Sequence, residues 1–399
     1  MRVVVTIEDR FEQTPDGKVW ARATFDYAFF ARYLVVFSEV LVVARILPVE
    51  VPREGWLRAD GDSVRFDPVP FYIGPWQYLR RARQVRSRIR NVFRREDAVI
   101  LRVPSMLANV LLPALELSRH PYSVEVVGDP YDVFAPGAVT HPLRPVFRWW
   151  FPRQLRGQCA GAVGSAYVTE QALQRRYPPG EGSYSTNYSS VELSEAAFVS
   201  EPRSFDGGRR MNLITVGTLA QLYKSQDVLI DALGVCVSRG SDLQLTIVGD
   251  GQHRAMLEAR ARSLGLGGRV RFVGHLSSAD QVRMELDQAD LFVLPSRQEG
   301  LPRAMIEAMA RGLPCVGSTV GGIPELLPSE DQVAPANVSA LAERLRQVTS
   351  DPIRMANMSA RNLDKARQFH KDILSARRRE HYRYLRETTE TWSNLRRRA

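Results

Sequence analysis

An α/β fold with two doubly wound domains is predicted by three observations. From about Met211 onward, short apolar runs alternate with helical stretches, a repeated βα order that builds a parallel sheet. The runs are apolar at consecutive positions, as strands covered on both faces must be. At 399 residues, the chain also exceeds what a single core usually serves.

In the first half the rhythm predicts strands over 2–7, 39–46, 98–102, 122–127 and 161–168. The chain between Pro48 and Pro75 is rich in Pro, Gly and Asp and reads as loops with a small hairpin. A boundary is expected near Glu201 to Arg210, where Pro202, Gly207, Gly208 and Arg209-Arg210 interrupt the pattern. Strands are then predicted over 212–216, 243–248, 270–273, 291–294 and 314–316, with helices near 224–238, 252–264, 279–288 and 302–311. The domains are thus expected at 1–205 and 206–365, facing each other across a cleft. Residues 366–399, ending in Arg396-Arg397-Arg398, form a charged helical tail expected to cross back to the first domain.

Composition excludes several classes. Cys159, Cys236 and Cys315 are far apart and form no C-x-x-C pair, so neither a disulfide framework nor a zinc site is indicated and a cytoplasmic setting fits. The start, Met1-Arg2-Val3-Val4-Val5-Thr6-Ile7, reads as a first strand rather than a signal peptide. Ser38, Glu39 and Arg45 interrupt the most apolar stretch, 33–47, so no spanning helix is expected.

The net charge is +10, and eight arginines (Arg80, Arg81, Arg83, Arg86, Arg88, Arg90, Arg94, Arg95) fall between residues 80 and 95, interleaved with Leu79, Val85, Ile89 and Phe93. A helix with one apolar stripe and a solvated basic face explains them, and so does a peripheral contact with an anionic membrane on its inner face. No module for nucleic acid accompanies them. The cluster Phe147-Arg148-Trp149-Trp150-Phe151 fits either interfacial docking or an aromatic corner of the core.

The chemistry concentrates in the second half. The run Leu291-Phe292-Val293-Leu294-Pro295 breaks into Glu299-Gly300-Leu301-Pro302-Arg303, with Glu307 eight residues beyond Glu299 across a helix start. Gly300 permits unusual backbone angles, Pro302 suits the first helical position, and a helix N-terminus after a strand offers N–H groups to an anion. Glycine-bearing turns follow three other strands: Val216-Gly217-Thr218, Val248-Gly249-Asp250-Gly251 and Val273-Gly274-His275. In a parallel sheet such turns converge on the ligand crevice. None matches G-x-G-x-x-G or a Walker A loop, and no cluster of metal ligands appears.

These segments, together with Lys224 and Gly321-Gly322-Ile323-Pro324-Glu325, run in order from about Asn212 to Glu325 and resemble the family 4 retaining glycosyltransferases. The resemblance implies the GT-B fold, two Rossmann-like domains facing across a cleft, with no bound cofactor or metal and a nucleotide sugar as donor, UDP-linked ahead of GDP-linked. It implies Lys224 on the donor diphosphate, Glu299 on the donor sugar and Glu307 on the ribose. Gly217, Gly249, Asp250, Gly274, His275, Gly300 and Leu301 would surround the nucleotide. The family often has an arginine where Thr218 stands, and Arg303 could replace that cation.

The first domain matches more loosely, through Gly17 after the first strand and Val42-Val43-Ala44-Arg45. Asp129 stands near where the family usually has a histidine, and either orients the acceptor hydroxyl or forms a turn before Pro130. The expected activity is transfer of a hexose or N-acetylhexosamine to a hydroxyl, on a lipid-linked acceptor for a bacterial exopolysaccharide or surface polysaccharide. A soluble small-molecule acceptor and a non-catalytic nucleotide-sugar-binding protein are the alternatives.

Overall fold

The computed structural model describes residues 1–22, 25–135, 141–206 and 210–398, without the side chain of Arg398. Of the boundary expected over 201–210, residues 207–209 lie outside the described residues.

The first sheet contains β1 (Arg2–Gln13), β2 (Val19–Ala21), β3 (Glu39–Pro48), β4 (Leu57–Arg58), β5 (Val64–Pro70), β6 (Ala98–Val103), β7 (Ser123–Val126), β8 (Gly164–Tyr167) and β9 (Tyr184–Asn187). Its parallel part runs β5-β3-β1-β6-β7-β8-β9, so the chain winds outward from β1 in both directions. After a register shift between Thr6 and Arg10, β1 stays paired with β3 as far as Gln13, where β2 and β4 add in antiparallel fashion.

The second sheet contains β10 (Met211–Val216), β11 (Leu243–Val248), β12 (Val270–Gly274), β13 (Leu291–Leu294), β14 (Cys315–Ser318) and β15 (Gln332–Val333). It is wholly parallel in the order β12-β11-β10-β13-β14-β15. Its order reverses between β10 and β13, which opens a crevice at their carboxyl ends.

Strand alternation divides each core into two layers. On the first sheet, Val4, Val99, Leu101 and Val124 pack beneath helices Gly74–Arg90, Met106–Ser118 and Arg144–Gly161. Val3, Val5, Val42 and Ile100 pack on the other face with Phe30, Tyr33, Phe37 and the tail residues Tyr382 and Leu385. On the second sheet, Leu213, Leu245 and Val293 meet helix Gln226–Ser238, and Ile214, Phe292 and Leu294 meet helix Arg303–Ala310.

Helix Lys371–Arg398 lies on the first sheet: Tyr382 stacks on Tyr33 with centroids 4.8 Å apart, and Arg386 Nη1 donates to the Val36 carbonyl at 3.0 Å. Beneath it Glu125 accepts from the hydroxyls of Tyr33, Tyr188 and Tyr382 at 3.0 Å each, and from Arg102 at 2.7 Å. Burial disfavours its charge, but the Arg32 and Arg102 guanidinium groups outweigh that and hold the carboxyl at about 2.

The expectation of loops and a small hairpin over 48–75 is corrected. Residues Val64–Pro70 form β5, a seven-residue strand paired with β3 from Val40↔Val64 to Ile46↔Pro70. Pro68 and Pro70 obscure the signal, but as an edge strand β5 has one side on which no N–H is needed. The first strand is also longer than 2–7, because the bulge carries β1 onward.

Candidate active site

Lys224 lies in a single 3-10 turn, Leu222–Lys224, after β10, and Ser225 follows in the left-handed region at φ 59°. The turn aims the ammonium group at the loop after β13, where Nζ donates to Glu299 Oε1 at 2.7 Å and Oε2 at 2.9 Å. Ser296 Oγ donates to the same Oε1 at 2.6 Å. The two side chains are 15% and 6% exposed, so the pair is largely withdrawn from water.

Arg297 fixes this arrangement. Its guanidinium donates to the Leu222 carbonyl at 2.8 Å, to Ser225 Oγ at 3.0 Å and, with both terminal nitrogens, to the Asp227 carboxylate at 3.0 and 2.9 Å. A two-pronged arginine–carboxylate contact holds orientation as well as distance. The loops carrying Lys224 and Glu299, 75 residues apart in sequence, are thereby locked together. Sequence reasoning passed over Ser296, Arg297 and Asp227; the available signal was an arginine at one strand end and an aspartate opening the helix after Lys224.

The glycine turns of the neighbouring strands converge beside them. Gly217 N donates to Val248 O, Leu219 N to Asp250 O and Gly249 N to Gly274 O, at 2.8 to 2.9 Å. Space is closed to side chains at two positions: a Cβ on Gly249 would lie 2.0 Å from Gly217 O, and one on Gly251 2.1 Å from Ala220 N. Their φ values of 136° and 156° are also costly for other residues. Asp250 accepts from Gly251 N and pairs with Arg254, and His275 is exposed at the end of β12. Thr218 is exposed, and its hydroxyl accepts from Ala220 N at 3.1 Å, closing a local turn.

Helix Arg303–Ala310 begins at Pro302, which provides no side-chain cap, so its first N–H groups lack a side-chain acceptor. Leu301, just before it, packs against the core beneath. Arg303 is exposed in the first turn and forms no ion pair among the described residues. Glu307, one turn on, is half-buried; burial pushes its carboxyl up, opposed by Arg303 and Arg283. A ladder of Glu307 with Arg311 does not form, because Arg311 pairs with Asp287 at 2.7 and 2.9 Å.

The first domain meets this cluster directly. A Cβ on Gly300 would lie 3.0 Å from Val127 O and 3.9 Å from the Gly128 Cα, so the Glu299-Gly300 corner abuts the carboxyl end of β7. A second contact comes from Glu325, whose carboxylate accepts from Glu170 N at 2.5 Å, Gln171 N at 2.9 Å and Ala172 N at 2.5 Å, capping a short helix of the first domain. Asp129, next to Gly128, is buried and engaged: it accepts from Tyr131 N at 2.9 Å and from the Tyr177 hydroxyl, and pairs with Arg176. Gly17 lies in the turn between β1 and β2 at φ 83°, with its N–H on Thr14 O at 2.9 Å and open space around it.

Residues 210–351 match the family described as glycosyl transferases group 1. Protein CapJ of Staphylococcus aureus is 25% identical over 338 residues, covering 84% of this chain and 83% of that protein. A GDP-mannose-dependent monoacylated alpha-(1-6)-phosphatidylinositol monomannoside mannosyltransferase of Corynebacterium glutamicum is 36% identical over 146 residues, 34% of this chain and 38% of its own length.

Among solved structures, sucrose-phosphate synthase from Thermosynechococcus elongatus superposes with a TM-score of 0.70 at 16% identity, over 96% of this chain and 99% of that one. Anabaena HepE in complex with UDP-glucose superposes at 0.62 and 16% identity, over 98% and 100%. At that identity the likeness shows the fold. Residues 210–351 are thus similar to the glycosyl transferases group 1, and the chain has a GT-B fold of two facing parallel-sheet domains.

Proposed function

We propose that the protein is a retaining, metal-independent glycosyltransferase that moves a hexose or N-acetylhexosamine from a nucleotide sugar to a lipid-linked acceptor hydroxyl. The observation that carries this reading is the withdrawn Lys224–Glu299 pair, set where the glycine turns converge and pressed against the first domain at Gly300. A cation and a carboxylate held 2.7 Å apart can serve the two ends of a sugar diphosphate bond, one taking the phosphate and the other the sugar.

In this mechanism the bond between the anomeric carbon and the phosphate oxygen breaks, and its electron pair leaves with the nucleoside diphosphate. Lys224 stabilises that growing charge, with Arg303 and the uncapped N–H groups of helix Arg303–Ala310 adding to it in place of the absent arginine at Thr218. Glu299 holds donor hydroxyls and stabilises positive charge at the anomeric carbon. The acceptor oxygen bonds to that carbon on the same face and gives its proton to the departing phosphate oxygen. Glu307 accepts from the ribose hydroxyls, Gly274 and His275 flank the base, and Gly217, Gly249 and Asp250 let the chain approach closely. Asp129, with its carboxylate occupied, positions the Gly128 turn opposite Gly300 through Arg176 and Tyr177.

HepE, of the same fold, is known in complex with UDP-glucose, which supports a UDP-sugar ahead of a GDP-sugar; the mannosyltransferase relative keeps GDP-mannose in view. That relative's phosphatidylinositol-based acceptor supports a lipid-linked acceptor, which we place in polysaccharide synthesis at the inner face of the membrane. No helix among the described residues is long and apolar enough to cross a membrane, so the contact proposed is peripheral.

The test is a screen of UDP- and GDP-sugars with lipid extract as acceptor, in chelator, with products read by mass spectrometry and anomeric configuration by NMR. A product that keeps the donor's configuration and is lost in Glu299→Gln supports the reading. Donor binding without turnover on any acceptor leaves a binding protein instead.

A further inference from the structure

Two helices of the first domain begin with the same exposed pattern. Ile73, Trp76 and Leu79 at the start of Gly74–Arg90 are 51%, 64% and 62% exposed, and Leu143, Val146 and Trp149 at the start of Arg144–Gly161 are 40%, 54% and 61% exposed. Each set is spaced by three residues, so each lies along one flank of its helix for about two turns. Both helices start at the carboxyl edge of the sheet, the edge that faces the second domain. Both helices also line one open groove of about 890 Å³, through Tyr78, next to Leu79, and Trp150, next to Trp149.

Behind the apolar set, Arg80, Arg83, Arg86 and Arg90 are exposed and form no ion pair among the described residues. The other flank differs: Arg88 pairs with Asp67, and Arg81 donates to the Phe71 carbonyl. Of the four, Arg86 and Arg90 line the groove itself, and among the described residues none is held by a partner as Arg81 and Arg88 are. Large apolar side chains in water cost free energy, and a cluster of them marks a contact surface. Tryptophan at the tip with arginine one or two turns behind is the depth order of a bilayer interface, with rings at the headgroup level and cations on lipid phosphate.

We propose that this cleft rim docks on an anionic bilayer: the two helix starts dip into the interface and the arginines of Gly74–Arg90 rest on lipid phosphates. The cleft then opens onto the membrane surface, and a lipid-linked acceptor reaches Glu299 without leaving its leaflet. The orientation rests on the reading of the acceptor as lipid-linked.

The test uses the full chain with vesicles of phosphatidylcholine, alone or mixed with phosphatidylglycerol, in sedimentation and tryptophan fluorescence with brominated lipid as a depth-dependent quencher. Binding is expected only with phosphatidylglycerol, with quenching of emission that Trp76→Ser/Trp149→Ser removes. Arg83→Ser/Arg86→Ser/Arg90→Ser is expected to weaken binding by roughly a hundredfold, each cation near the surface being a factor of about five. All substituted positions are exposed, and far-ultraviolet circular dichroism checks that the fold is kept.

Binding to the mixed vesicles with emission unquenched, or unchanged by the arginine substitutions, overturns the proposal. So does a wild-type dimer that the tryptophan substitutions convert to monomer, since a second copy then covers the rim. Donor hydrolysis without acceptor is read alongside: its loss in wild type counts against the transferase reading, and its persistence without vesicle binding counts against the docking rim alone.

Discussion

Replacing Lys224 by methionine removes the ammonium group from a carboxylate that has little else. Glu299 is 6% exposed and accepts only from Lys224 and Ser296 Oγ among the described residues. Breaking a fully buried pair by removing one partner costs roughly 3–5 kcal/mol, and the 15% exposure of Lys224 places this case near the lower end, about 3 kcal/mol. At roughly 2–4 °C per kcal/mol for a domain of this size, the second domain should melt about 6–12 °C lower.

The double variant Lys224→Met/Glu299→Gln leaves no lone charge and should recover most of that loss, giving a coupling of about 2 kcal/mol within the 0.5–3 kcal/mol range of contacting residues. Activity should not recover. Loss of one preorganised charge-stabilising donor typically lowers kcat by roughly 10²–10³-fold. Urea denaturation of the four members of the cycle, with single-turnover donor cleavage on each, separates the two effects. A coupling near zero, or near-normal turnover in Lys224→Met, would refute the reasoning.

Three further outcomes are expected. Burial lowers the His381 imidazole from 6.5 to about 4 despite the nearby Glu125, so the folded state resists its protonation. Stability from this group is full above about 6.5 and is lost as pH falls toward about 4, by about 3 kcal/mol at 1.36 kcal/mol per unit; His381→Phe should flatten that slope in pH-dependent denaturation. Glu307, pushed up by burial, should lose its charge at higher pH than an ordinary glutamate. UDP affinity in calorimetry should therefore fall on mild acidification, and Glu307→Gln should bind weakly with no such dependence. Glu325→Ala removes three N–H contacts between the domains and should broaden the small-angle scattering envelope while leaving UDP affinity intact.

The βα rhythm was legible because consecutive apolar positions such as Leu291-Phe292-Val293-Leu294 are buried on both faces, and a parallel sheet is what does that. β5 was not, since Pro68 and Pro70 break the usual strand signal and only the edge position, a tertiary fact, makes them tolerable. In the site, glycine turns and carboxylates stand out by residue type. The closeness of Lys224 to Glu299 depends on how Arg297 ties two loops together, which no local pattern reports.

Asp129 shows the opposite limit: by type it could serve an acceptor, yet Arg176 and Tyr177, packed against it from some 47 residues away, occupy its carboxylate. The exposed triplets at residues 73 and 143 look like core stripes in the sequence, and only burial distinguishes them.

The most direct measurement is a crystal structure with a hydrolysis-resistant UDP-sugar bound. The account predicts the diphosphate within hydrogen-bond distance of Lys224 Nζ, the ribose hydroxyls on Glu307 and the sugar on Glu299. A nucleotide bound away from the carboxyl ends of β10 and β13, or one leaving the Lys224–Glu299 pair untouched, would contradict it.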